Sequence, residues 1–124
     1  MRRVRVVLVE DNEVFRDALE LLLGMRDDVE VVASVGDGAA AVTAAIEHRP
    51  DVVLVDYRLP AADGIQATTE VLASVPGVAV VALTASASEV EREALVAAGA
   101  VACLTKDQEL EEIVAAIQNA AAVG

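Results

Sequence analysis

No tryptophan occurs among the 124 residues, and the aromatic side chains number two, Phe15 and Tyr57. The bulk of any core must come from aliphatics, and 25 alanines and 23 valines supply it. Small-residue helices packed on valine-rich strands favour an α/β protein over an all-β one. A single cysteine, Cys103, excludes an intrachain disulfide and a cysteine-rich zinc site. It fits a reducing compartment, so a cytoplasmic location is expected. Positive charge is scarce too: nine basic residues stand against twenty-one acidic ones, a formal net charge of -12. That sign repels phosphate backbones and anionic lipid surfaces, so direct nucleic-acid binding and membrane association by this chain are not expected. Long apolar runs are missing as well. The run Val4 to Val9 is interrupted by Arg5 and closed by Glu10-Asp11, which is no signal peptide. The uncharged stretch Ser74 to Ser88 contains Pro76, Gly77 and several hydroxyls and cannot supply the roughly twenty apolar residues of a spanning helix.

What is present is a regular alternation. Val4 to Val9, Val29 to Ser34, Val52 to Val55, Val78 to Leu83 and Val101 to Leu104 are short, rich in valine and bounded by turn signals, so all five read as strands. Segments with helical spacing lie after each: Phe15, Leu19, Leu22 and Leu23; Val42, Ala45 and Ile46; Ile65, Thr68, Val71 and Leu72; Val90, Ala94, Leu95 and Ala98; Leu110, Ile113, Val114 and Ile117. Gly24, Gly36, Pro50, Pro60, Pro76, Gly77 and Gly99 all fall at boundaries. Asp63 with Gln66 and Ser86 with Glu89 have capping-box spacing, and Asp107 is expected to cap the last helix. The length suits one domain with one core, here residues 1–124. Strands apolar on both faces and joined by helical crossovers make a doubly wound parallel sheet, whose ligands bind at the carboxyl ends of its strands.

Four of those ends carry polar chemistry: Glu10-Asp11 after the first strand, Asp56 after the third, Thr84 after the fourth and Lys106 after the fifth. The second, Ser34 to Asp37, reads as a plain connection that would lie at an edge in a sheet of order 2-1-3-4-5. Three converging carboxylates repel by about 4 kcal/mol per pair at an effective dielectric near 20, so a cation is required. Oxygen ligands without histidine or thiolate point to Mg²⁺. Lys106 is the only lysine, against eight arginines. A compact ammonium contacts a phosphoryl oxygen as a point charge, which a guanidinium fork does not. Carboxylate, divalent ion, ammonium and hydroxyl are the parts that form and hold an aspartyl phosphate.

In order and spacing, LVEDNE, VVLVDYRLPAADG, VALTA and CLTKD resemble the receiver domain of two-component response regulators, from Val4 to about Ala116. DYRLPAADG and LTKDQELEEIVAAI are most similar to the NarL/FixJ (LuxR-type) transcription regulators. The resemblance implies a (βα)5 flavodoxin-like sandwich with a five-stranded parallel sheet of order 2-1-3-4-5. It implies that Asp56 accepts a phosphoryl group from a sensor histidine kinase, that Glu10, Asp11, Asp56 and the Arg58 backbone carbonyl hold Mg²⁺, and that Thr84 and Lys106 engage the phosphoryl group. It implies further that the small Ala85 would leave access to that group. On this resemblance the chain is expected to be a phosphorylated switch and not an enzyme; its output, transcription control, would pass through a DNA-binding domain absent from this chain, and a homodimer is left open. Cys103 stands where the family usually places an aromatic residue, and Asp107 where many receivers have proline.

Blander readings stand beside these. Glu10 and Asp11 could serve the first helix as dipole partners, although Asn12 can cap it instead. Cys103 reads as a small core residue, His48 as a complement to a helix C-terminus, and the Glu89, Glu91, Glu93 and Glu111-Glu112 groups as solvated faces. A dehalogenase-type phosphatase would need an aspartate where Arg58 stands, and a flavin carrier would not place Glu10 to Glu13 against a phosphate. The remaining alternative is a phosphate-independent receiver-like interaction module, which Cys103 keeps open.

Overall fold

The computed structural model describes residues 3–56, 62–84 and 89–123, with no account of the side chains of residues 62, 63 and 123. Ten elements alternate along the chain: β1 (Val4–Val9), α1 (Glu13–Gly24), β2 (Val29–Val35), α2 (Gly38–His48), β3 (Val52–Asp56), α3 (Ala62–Ser74), β4 (Ala79–Thr84), α4 (Glu89–Ala98), β5 (Ala102–Thr105) and α5 (Leu110–Val123). All pairings are parallel and the order is β2-β1-β3-β4-β5, the doubly wound architecture expected from the alternation. β4 and β5 begin one residue later than their valine runs suggest. The Val78 amide is held by the Val75 carbonyl in the turn through Gly77, and Val101 precedes its strand although its amide already reaches the Val80 carbonyl. No peptide bond among the described residues is cis, so Lys106-Asp107 is trans as its sequence suggests.

Because side chains alternate along a strand, the sheet builds two cores. Val7, Val9, Val53, Val55, Val80 and Ala82 pack with residues of α2, α3 and α4. Val6, Leu8, Val52, Leu54, Val81 and Leu83 pack with α1 and α5, chiefly through Leu19, Leu23, Ile113 and Ile117. β1, β3 and β4 are buried on both faces, as a parallel sheet covered on two sides requires.

Helix ends follow from local chemistry. The Asn12 side chain accepts the Phe15 amide and caps α1, freeing Glu10 and Asp11 from that task. Asp37 accepts from the Ala40 amide and caps α2, so the connection after β2 is less plain than it reads. His48 is the last residue of α2, and Arg5 Nη1 donates to its carbonyl at 2.6 Å and to that of Arg49 at 3.2 Å. Asp107 is not the cap of α5. The turn after β5 is pinned by Thr105 N donating to Gln108 Oε1 and Gln108 N to the Thr105 carbonyl, which carries the chain on to a helix opening at Leu110. The Ser86 capping position lies outside the described residues, as does the Asp63 side chain.

Gly99 closes α4 at φ +115, and a Cβ there would strike Leu72 Cδ1. Gly99→Ala is therefore expected to cost about 1 to 3 kcal/mol, since both backbone and packing oppose it. Urea unfolding checks this; an unchanged midpoint would mean that Leu72 and the turn yield freely.

Candidate phosphoacceptor site

Strand parity brings the site together. β1 and β3 pair Leu8 with Leu54 and Val9 with Val55, so continuing the register by two places Glu10 beside Asp56. Both residues extend the series, Val6-Leu8 and Val52-Leu54, that faces α1 and α5. Lys106 likewise extends Ala102 and Leu104 onto that face. Its Nζ lies 2.8 Å from Glu10 Oε1 and 3.1 Å from Asp56 Oδ2, between two carboxyl groups that are each 1% exposed. The Lys106 backbone amide donates to the Thr84 carbonyl at 2.8 Å, which joins the ends of β4 and β5. Thr84 itself is buried and ends β4 on the series facing α2, α3 and α4.

Asp11 completes an acidic ring. One carboxylate oxygen each from Glu10, Asp11 and Asp56 lies within 4.8 Å of the others, with Asp11 exposed and the other two buried. With all three ionised, three carboxylates against one ammonium leave two negative charges, the complement of a divalent cation. The donors are all oxygens, which fits Mg²⁺ and disfavours softer metals. Burial and the neighbouring Asp56 carboxyl push the Glu10 pKa up to about 7, against the opposing pull of Lys106 and of the Asn12 amide on Oε2. Burial, first, and the second acid beside it keep this carboxyl from ionising as readily as one in water.

Three supporting side chains carry no motif and are not apparent in the sequence. Phe15 reads as core-facing in α1, yet its ring centroid is 4.6 Å from Lys106 Nζ, close enough for a cation–π contact that steers the ammonium. Arg16 Nη1 donates to the Glu10 carbonyl at 2.9 Å. Gln108 holds the Lys106 turn from below. Cys103 is half-buried, packs against the core under α2, α3 and α4, and lines a surface cleft with Arg92, Asp107 and Gln108; burial raises its thiol pKa. Tyr57, Arg58 and Ala85 lie outside the described residues.

The arrangement agrees with known proteins. Residues 6–118 match the family described as response regulator receiver domain. The transcriptional regulatory protein YxjL of Bacillus subtilis is 32% identical over 119 residues, covering 96% of this chain and 55% of the relative. LiaR of the same organism is 32% identical over 117 residues, 94% of this chain and 56% of its own length. This chain thus spans about half the length of the curated relatives it matches. Among solved structures, the signal receiver domain of the putative response regulator NarL from Mycobacterium tuberculosis superposes with a TM-score of 0.92 at 34% identity, covering 98% of both chains. With the fold, the strand order and the whole span in agreement, the chain belongs to the response regulator receiver domain family, whose members are signalling switches.

Proposed function

We propose that Asp56 accepts a phosphoryl group from the phosphohistidine of a sensor histidine kinase, and that the resulting charge controls transcription through a DNA-binding domain outside this chain. The observation that carries the reading is the placement of Asp56: buried at the end of β3, ion-paired to the only lysine, and within metal-ligand reach of Glu10 and Asp11. The Asp56 carboxylate attacks phosphorus as the P–N bond to the donor imidazole breaks, and the departing nitrogen takes up a proton. Glu10, Asp11 and Asp56, with the Arg58 carbonyl as its sequence position suggests, would hold Mg²⁺, which neutralises charge on the phosphoryl oxygens when bound. Lys106 is placed to exchange its Asp56 contact for a phosphoryl oxygen, and Thr84, at the neighbouring strand end, to donate its hydroxyl to another. About two added negative charges then redraw the balance among these groups, which is the local event that a switch requires. Membership of the family supports a histidine kinase as partner, the single cysteine supports a cytoplasmic location, and the charge of -12 argues against nucleic-acid contact by the chain itself.

Acetyl phosphate with Mg²⁺, followed by intact mass and peptide mapping, tests the reading. One phosphoryl group on the peptide containing Asp56, absent when the metal is chelated, is the expected result. No gain, or a gain on another peptide, would overturn it and favour the phosphate-independent module.

A further inference from the structure

Asp11 is the one exposed carboxyl of the three, so its place in the ring is set chiefly by the backbone that carries it. That backbone is fastened from both sides. The Glu10 amide donates to the Val35 carbonyl at the end of β2 at 2.9 Å, and the Glu10 carbonyl accepts from Arg16 Nη1 at 2.9 Å. Because a peptide unit is planar, fixing the Glu10 carbonyl fixes the Asp11 amide and with it the direction in which Asp11 leaves the strand. The Arg16 backbone is itself anchored by its amide on the Asn12 carbonyl.

Gly36 supplies the second observation. It has no positive φ, so its conformation does not call for glycine. A Cβ there would, however, come within 2.8 Å of Arg16 Nη1, while the next atoms, Arg16 Cζ and the Glu10 carbonyl oxygen, are 3.9 Å away. The missing side chain makes room for the guanidinium, and an alanine would displace that group alone.

We infer that Arg16, seated over Gly36, is a positioning residue that aims Asp11 at the metal and so sets the affinity of the site for Mg²⁺. The inference rests on the phosphoacceptor reading of the site but names residues which that reading does not use. Groups that orient metal ligands at one remove change affinity by roughly 10- to 100-fold when lost. Arg16→Met keeps the stem without the donor and is expected to raise the Kd for Mg²⁺ about tenfold. Arg16→Lys keeps a donor and is expected to retain most of the affinity. Gly36→Ala should reproduce Arg16→Met, and the double variant should be no worse than either, because both act through one contact.

Mg²⁺ titration of the purified chain, followed by calorimetry and by the fluorescence of its only tyrosine, Tyr57, measures all four variants without any phosphodonor. Arg16→Met and Gly36→Ala each binding as tightly as the wild type would overturn the inference, as would equal losses in Arg16→Met and Arg16→Lys. If Arg16→Met does not fold, Gly36→Ala and the lysine variant still decide. A wild type that gives no Mg²⁺ response would sink the metal reading and this inference together, whereas a normal wild type with unaltered variants sinks the inference alone.

Discussion

Replacing Lys106 with methionine is expected to cost the metal-free domain about 3 kcal/mol at pH 8 and to remove most of its phosphoryl uptake. The ammonium sits 2.8 Å from one carboxyl and 3.1 Å from another, each 1% exposed, and is itself 18% exposed. Without it, two buried carboxyl groups face each other with no compensating charge. The methionine keeps the apolar stem, so lost packing does not explain the change, and the contact with Phe15 adds about 0.5 to 1 kcal/mol to the loss. Protonation of Glu10 limits the damage, since Lys106 is one of the groups holding its pKa down. Saturating Mg²⁺ should recover more stability in the variant than in the wild type, because it supplies the positive charge that the substitution removed. Urea unfolding with and without Mg²⁺ reads both effects. Equal stability of variant and wild type without metal would show that Lys106 does not neutralise the pair.

Much of this site is legible in the sequence because strand parity is. Once β1, β3 and β5 are recognised, Val6-Leu8-Glu10, Val52-Leu54-Asp56 and Ala102-Leu104-Lys106 each step by two, and the three polar residues must emerge on one face at one end of the sheet. Glycine and proline mark the boundaries for an equally local reason. The residues that escape notice act through geometry at a distance. Arg16 meets the carbonyl of Glu10, which carries no residue-specific signal, and a glycine twenty positions away makes room for it. Phe15 occupies a core position in the helical period, so its second contact is hidden by its first. Asp107 loses its expected capping role because the turn from Thr105 to Gln108 carries the chain past it, and the helix opens at Leu110, with the Glu109 carbonyl taking the first helical amides. In each case a side chain meets a partner that the helical or strand period does not encode.

The stability of the metal-free domain is expected to fall as pH rises from about 4.5 to 7, and Glu10 should account for part of the slope. Its carboxyl titrates near pH 4.5 when exposed to water and near 7 in the folded domain, raised first by burial and then by the Asp56 carboxyl. Between those values the native state holds a proton that the unfolded chain has released. Since stability changes with pH as protons bound by the unfolded state minus protons bound by the native state, the sign is negative across that window. The contribution is complete below about pH 4.5 and is lost as pH passes through 7, at no more than about 1.4 kcal/mol per pH unit. The net charge of -12 adds a slope of its own, so the informative quantity is a difference between variants. Glu10→Gln, which cannot ionise, should remove the specific part, and Asp56→Asn should shrink it by removing the second cause of the shift. Mg²⁺ should flatten the wild-type curve, because the ion competes with the proton for the same oxygens. Thermal or urea unfolding from pH 4.5 to 8 resolves these curves. Parallel slopes for wild type, Glu10→Gln and Asp56→Asn would mean that Glu10 ionises normally in the folded domain, and that Lys106 alone offsets the crowding of the three carboxylates.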